Sequence, residues 1–248
     1  MLKPGILCSL LLLSGCNPNN QSAAESILTL QLRFNGEALG CDRLINLADT
    51  PWSLSQLQLY LSDFQINNKP VLLDPTMTYQ QPQLALLGMV CSEPDNANWQ
   101  LKFTRPLTAG QMSFNIGVPE QRNHQNPLQA KTPLNQSDMY WSWQQGYKYL
   151  RLELAKETEQ WALHLGAAGC HSASPMRAPQ APCQHQNRPK ISLRYRGEKT
   201  LILDLAPMLA DITLSADNHC MSDPNRLSCQ ILLPRLGIGG DAQGWSLQ

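Results

Sequence analysis

The sequence predicts an all-β protein, an antiparallel β-sandwich with long disulfide-stapled loops, and three observations support that reading. Apolar residues recur with a period of two in segment after segment, eighteen prolines and fifteen glycines punctuate those segments, and six cysteines remain once Cys8 and Cys16 of a leader-like N-terminus are set aside. Alternation of this kind turns one set of side chains toward a core and the other toward solvent, which is the pattern of a half-buried strand.

The strands follow in order. Leu28, Leu30, Leu32 and Phe34 form the first alternating set, and Leu57, Leu59 and Leu61 the second. Phe64 and Ile66 continue the second set with the phase changed, which predicts a bulge or bend between them and Leu61. The period returns at Met112, Phe114, Ile116 and Val118, at Leu150, Leu152 and Leu154, and at Trp161, Leu163 and Leu165. Ile191, Leu193 and Tyr195, then Leu201, Leu203 and Leu205, complete the series. Residues 119–133 and 172–189 are rich in turn formers and predict long ordered loops. A short helix is expected near residues 229–236, limited by Pro234. Seven to nine short strands in one domain over residues 27–248 indicate a sandwich. No internal repeat has a fixed period.

Composition narrows the function classes. Nineteen Lys and Arg balance nineteen Asp and Glu, so no basic field for nucleic acid arises. Hydrophobic residues at 42% against 15% charged suffice for a core. No run reaches the roughly 18 apolar residues of a spanning helix.

Residues 1–15 read as a targeting leader, with Lys3 ahead of an apolar stretch too short to cross a bilayer. Leu13, Ser14, Gly15 and Cys16 look like a bacterial lipobox, in which cleavage precedes the cysteine and its thiol takes a diacylglycerol. Residues 16–26 then form a polar tether. Asn17 is not the aspartate of an inner-membrane retention signal, so the expected location is the outer membrane, facing the periplasm.

In an oxidising envelope the remaining even set of cysteines reads as three disulfides, and the expected pairs are Cys41–Cys91, Cys170–Cys183 and Cys220–Cys229. The competing reading takes Cys170 with His171 and Cys183 with His185 as a tetrahedral zinc site.

Enzyme signatures are missing. There is no Gly-x-Ser-x-Gly elbow, His-Glu-x-x-His helix or phosphate-cradling glycine loop, and no carboxylate cluster singles itself out for glycoside hydrolysis. The expectation is a protein that is not an enzyme. The informative segment runs over residues 123–170. Trp141 and Trp143 share one face if the segment is a strand, about 7 Å apart, where core packing is the ordinary role of two such indoles. His164 has the opposite parity from Trp161, Leu163 and Leu165 and so leaves their face, with simple exposure as the ordinary outcome. His124 lies in a polar, proline-flanked loop.

Residues 139–149, reading Met-Tyr-Trp-Ser-Trp-Gln-Gln-Gly-Tyr-Lys-Tyr, together carry a resemblance with Pro133-Leu134-Asn135, Asn123-His124, His164-Leu165-Gly166 and the C-terminal Cys220-Met-Ser-Asp-Pro with Cys229. The chain resembles the MbnP family, periplasmic copper proteins of methanobactin operons and related gene pairs, over nearly its whole mature length. That resemblance implies a copper-binding β-sandwich working beside a dihaem cytochrome of the peroxidase-like MbnH type, which oxidises a family tryptophan to kynurenine. Carried over by motif, the modified residue is Trp141 or Trp143, the imidazoles are His124 and His164, and Met139 adds a soft thioether suited to Cu(I). The family pattern shows an aromatic residue and a glycine around the first cysteine, whereas Leu39-Gly40-Cys41-Asp42 stands here.

Two function classes follow. One is a copper-binding envelope lipoprotein matured by a haem enzyme. The other is a metal-free structural or interaction lipoprotein of the outer membrane. A secreted hydrolase on the same sandwich is a third, and would need a pocket with perturbed carboxylates.

Overall fold

A computed structural model describes residues 26–248 of the protein. The leader, Cys16 and almost all of the tether lie outside the described residues. The strands run β1 (Ser26–Phe34), β2 (Glu37–Ala38), β3 (Leu44–Leu47), β4 (Thr50–Ile66), β5 (Lys69–Pro70), β6 (Gln80–Gln81), β7 (Leu84–Val90) and β8 (Gln100–Phe103). They continue with β9 (Gly110–Ile116), β10 (Tyr140–Ser142), β11 (Gly146–Lys156), β12 (Glu159–Gly166), β13 (Lys190–Tyr195), β14 (Thr200–Asp204) and β15 (Trp245–Leu247). Three short helices, α1 (Glu120–Asn123), α2 (Leu205–Leu209) and α3 (Leu227–Arg235), sit in the connections.

The strands form two sheets. The smaller has the order β15-β14-β1-β2, with β8 also on β1. The larger has the order β10-β11-β4-β7-β6, with β12 on β11, β3, β5 and β9 on β4, and β13 on β9. The alternating leucines behave as expected. Leu28, Leu30 and Leu32 of β1, Leu57 and Leu59 of β4, and Leu150, Leu152 and Leu154 of β11 are all buried in one continuous core. Burial of that many large aliphatic side chains, at about 25 cal/mol per Å² of apolar surface, is the main source of stability.

Several expectations need adjustment. The alternation resolved about half of the fifteen strands: five of the others have only two or three residues, β3 and β8 hold just two inward residues each, and β7 is buried along most of its length rather than alternating. Between the named strands the pairing is antiparallel except for β1 with β14, which run parallel from Thr29 opposite Thr200 to Arg33 opposite Asp204. The phase change in β4 is a true irregularity: its pairing with β9 shifts between Ser62 and Gln65, and Asp63 takes a left-handed φ of 56°. Residues 172–189 contain no helix or strand, and residues 119–133 contain only the single turn α1. The helix near the C-terminus is α3, and Pro234 lies in its last turn.

All three disulfides link the expected pairs, Cys41–Cys91, Cys170–Cys183 and Cys220–Cys229. The zinc reading of Cys170 and Cys183 is therefore not realised in the oxidised protein. Cys41–Cys91 closes the longest loop, with a sequence separation of 50. In the chain-entropy view its removal by Cys41→Ser with Cys91→Ser is expected to cost about 4 kcal/mol, against about 3 kcal/mol for Cys170–Cys183, in urea melts of the two double variants.

Candidate functional site

The larger sheet presents a polar face at β11 and β12. Leu150, Leu152 and Leu154 of β11 point into the core, so Arg151 and Glu153 point away from it, and Arg151 pairs with His164 across the ladder. Their carboxylate, guanidinium and imidazole form one network. His164 Nε2 lies 2.8 Å from Glu153 Oε1, and Arg151 Nε lies 2.7 Å from the same oxygen. Asp138 joins from the loop before β10, its Oδ2 3.3 Å from Arg151 Nη1, and its carbonyl accepts from Lys148 Nζ at 2.6 Å.

His164 departs from the expected exposure. Its parity does take it off the Leu163 and Leu165 face, yet it is only 8% exposed, because the chain folds back over that face of the sheet. The Trp141 ring stands over the imidazole with centroids 6.4 Å apart. Cys220 runs alongside β12, accepting from His164 N at 2.8 Å, and Ser222 Oγ donates to the His164 carbonyl at 2.9 Å.

The tautomer follows from these partners. An ionised carboxylate only accepts, so Nε2 carries the proton given to Glu153, and Nδ1 holds a lone pair. That Nδ1 is buried and has no hydrogen-bond partner. Burial pulls the imidazole below its ordinary range and so favours the neutral ring, against the opposing pull of the Glu153 hydrogen bond. Burial also pushes Glu153 up, but hydrogen bonds from His164 and Arg151, with the guanidinium charge, outweigh it and hold the carboxyl at about 2.

A pH dependence follows with a definite sign. A carboxyl depressed from 4.5 to about 2 adds stability that is present above pH 4.5 and is lost as pH falls toward 2. Glu153→Gln is expected to be about 2 kcal/mol less stable than the parent at pH 7 and nearly equal to it near pH 2, measured by urea melts at both pH values.

Gly166 seats the indole. A Cβ at that position would lie 2.4 Å from Trp141 Cζ3 and 2.9 Å from the Tyr147 carbonyl oxygen, so the ring rests on bare backbone. Asn187 Nδ2 donates to the Gly166 carbonyl at 2.8 Å and Gly166 N donates to Ser222 Oγ at 2.8 Å, which fixes that backbone. The other glycine of the motif, Gly146, has a φ of +79° and closes the turn after β10. A Cβ there would meet the Asn123 carbonyl oxygen at 2.4 Å. Asn123 in turn accepts from Tyr147 N at 3.0 Å through its side-chain oxygen, tying α1 to the start of β11.

Trp143 is not the second indole on a shared strand face. It opens the turn after β10, and both it and Trp141 are half-buried rather than part of the core. The Trp143 carbonyl lies 3.1 Å from His124 Nδ1, the nitrogen that therefore carries the proton. His124 Nε2 faces the Cys170–Cys183 disulfide, 3.6 Å from Cys183 Sγ. Burial lowers the His124 pKa, partly offset by the bond to the Trp143 carbonyl. Both imidazoles thus abut the 140–143 segment, but through different partners, and His164 is not in the close group formed by His124, Cys170 and Cys183. Met139 is fully buried and packs in the hydrophobic core. Trp141 also lines an open cavity of about 560 Å³ together with Gln144, Cys170, His185 and Met221.

The MbnP family model matches residues 24–222, which spans β1 to the end of the Cys220 segment. The chain belongs to the MbnP family. Among solved structures, MbnP from Methylosinus trichosporium superposes with a TM-score of 0.74 at 22% identity, covering 86% of this chain and 88% of that one. At that identity the likeness establishes the shared sandwich. No curated protein matches the chain by sequence. The family model takes in Trp141, His164 and Gly166, and ends at Ser222, the residue that ties Gly166 N to the His164 carbonyl. Glu153 is the residue of this network that pattern reading missed, while Gly166 and Ser222 were named there only within motifs and given no role. The one signal for Glu153 was its outward parity among the leucines of β11.

Proposed function

We propose that this chain is a copper-binding MbnP-family protein, matured by oxidation of Trp141 to kynurenine and without turnover of its own. The supporting observation is the buried Nδ1 of His164, which has no hydrogen-bond partner and sits beside the Trp141 ring. A buried polar atom left unpaired is costly unless something completes it, and a neutral imidazole nitrogen is a good copper ligand. Glu153 holds the opposite ring nitrogen, the arrangement that orients metal-ligating histidines and raises their basicity.

Bound copper would be held by His164 Nδ1 and by the new arylamine and ketone at position 141; His124, whose Nε2 faces the Cys170–Cys183 disulfide, stands outside that set. An indole offers only a donor, so oxidation is what would make residue 141 a ligand. Two equivalents of peroxide cleave the indole C2–C3 bond and deliver two oxygen atoms, releasing two waters, and hydrolysis then frees formate. A dihaem cytochrome of the MbnH type is the proposed source of the oxidising equivalents. The half-buried position of Trp141, on the wall of an open cavity, leaves it accessible to such a partner. The proposed setting is the cell envelope, with Cys16 lipidated and the domain facing the periplasm from the outer membrane.

Co-production with a dihaem partner tests this reading. Peptide mapping is expected to find one carbon exchanged for one oxygen at Trp141, with one copper bound per modified chain. An unmodified protein that binds no copper in the partner's presence would leave a metal-free structural module.

A further inference from the structure

The geometry points to a second, redox-gated metal site at the Cys170–Cys183 disulfide, in which reduction of the bond yields a Cys2His set, with His124, that takes Cu(I). The three ligating atoms, His124 Nε2 and the two sulfurs, already lie within 4.8 Å of one another. His124 is prearranged for the role. Its Nδ1–H is committed to the Trp143 carbonyl, which leaves the Nε2 lone pair directed at Cys183 Sγ, 3.6 Å away. A disulfide sulfur has no proton to give, and the other neighbour of Nε2, the Asn123 amide nitrogen, stands at 3.4 Å, a long contact. The lone pair is therefore weakly satisfied in the oxidised state.

The frame around the sulfurs does not depend on their bond. Ala168 and His185 exchange two backbone hydrogen bonds of 2.9 Å, and Gln184 N donates to the Gly169 carbonyl at 3.1 Å. Gln144 Nε2 holds the Cys170 carbonyl at 2.9 Å. With these contacts in place the two thiols stay side by side after reduction, and a modest separation of the sulfurs admits a soft ion. Cys170 also lines the open cavity beside Trp141, which gives a reductant a route to the bond.

The chemistry balances with an external dithiol as reductant. The dithiol gives two electrons and two protons to the Cys170–Cys183 bond and becomes a disulfide itself. The two new thiols then lose their protons as thiolates engage Cu(I), and the neutral imidazole needs no proton removed. Two thiolates and one imidazole are a soft set that suits Cu(I). His171 and His185, adjacent in sequence to these cysteines, are outside the group; His124 arrives from α1, far away in the chain.

The test uses the full chain made without a haem partner, so that Trp141 stays an indole. Cu(I) is titrated against a chromogenic chelator before and after dithiol treatment, and the bound ion is examined by X-ray absorption. Reduction is expected to add one equivalent of Cu(I) with sulfur scatterers. Cys170→Ser with Cys183→Ser is expected to lose that added equivalent, and His124→Ala to weaken it at least about tenfold. The same gain in His164→Ala would separate this site from the one proposed at Trp141. No added equivalent on reduction, or an equal gain in the Cys170→Ser and Cys183→Ser double variant, would overturn the inference. Alkylation mapping of the freed thiols checks that the Cys170–Cys183 bond was opened in the titrated sample.

Discussion

Phenylalanine in place of Trp141 is expected to abolish both the kynurenine mass change and copper binding, weakening copper by more than about a hundredfold, while Trp143→Phe leaves both in place. The two residues share a motif but not a situation. Trp141 rests on Gly166 and beside the free Nδ1 of His164, whereas Trp143 meets His124 through its backbone carbonyl, which any residue supplies. Phenylalanine preserves most of the apolar contact at either position, so both variants are expected to fold. Peptide mapping after co-production with the haem partner, with copper counted on the same samples, separates the outcomes.

Gly166→Ala carries the second large effect. The added methyl would lie 2.4 Å from the indole and 2.9 Å from a main-chain oxygen, and only the indole is free to retreat. Moving it off its seat takes residue 141 away from His164. Overpacking of this kind costs about 2 kcal/mol, or roughly a 6 °C drop in Tm for a chain of this size. The same substitution is expected to remove copper binding. Because the clash is with the ring, Trp141→Ala should relieve much of the cost, and a double-mutant cycle is expected to show coupling of about 1 kcal/mol or more between the two positions.

What the sequence made legible follows from what each signal measures. Period-two alternation reports a half-buried surface, so it found β1, β4, β9, β11, β12, β13 and β14 and the bend at Asp63. It was blind to β2, β5, β6, β10 and β15, which are too short to alternate, to β3 and β8, which hold two inward residues each, and to β7, which is buried along most of its length. Parity put His164 on the outward face correctly and its exposure incorrectly, since what covers that face is the 138–141 segment and the Cys220–Ser222 strap, both distant in sequence. For the same reason the partnership of His164 with Glu153 was hidden: it depends on the register of β11 against β12. The disulfide pairs were recoverable because an even set and one isolated close pair leave few sensible choices. The approach of His124 to one of those bridges was not, because it follows from the path of a loop.

Anomalous diffraction at the copper edge, from crystals of the protein co-produced with its haem partner, tests the central assignment most directly. The expected result is one strong copper peak within bonding distance of His164 Nδ1 and of the modified residue 141. A peak placed elsewhere with His164 Nδ1 still vacant, or no peak beside a fully converted residue 141, would contradict it.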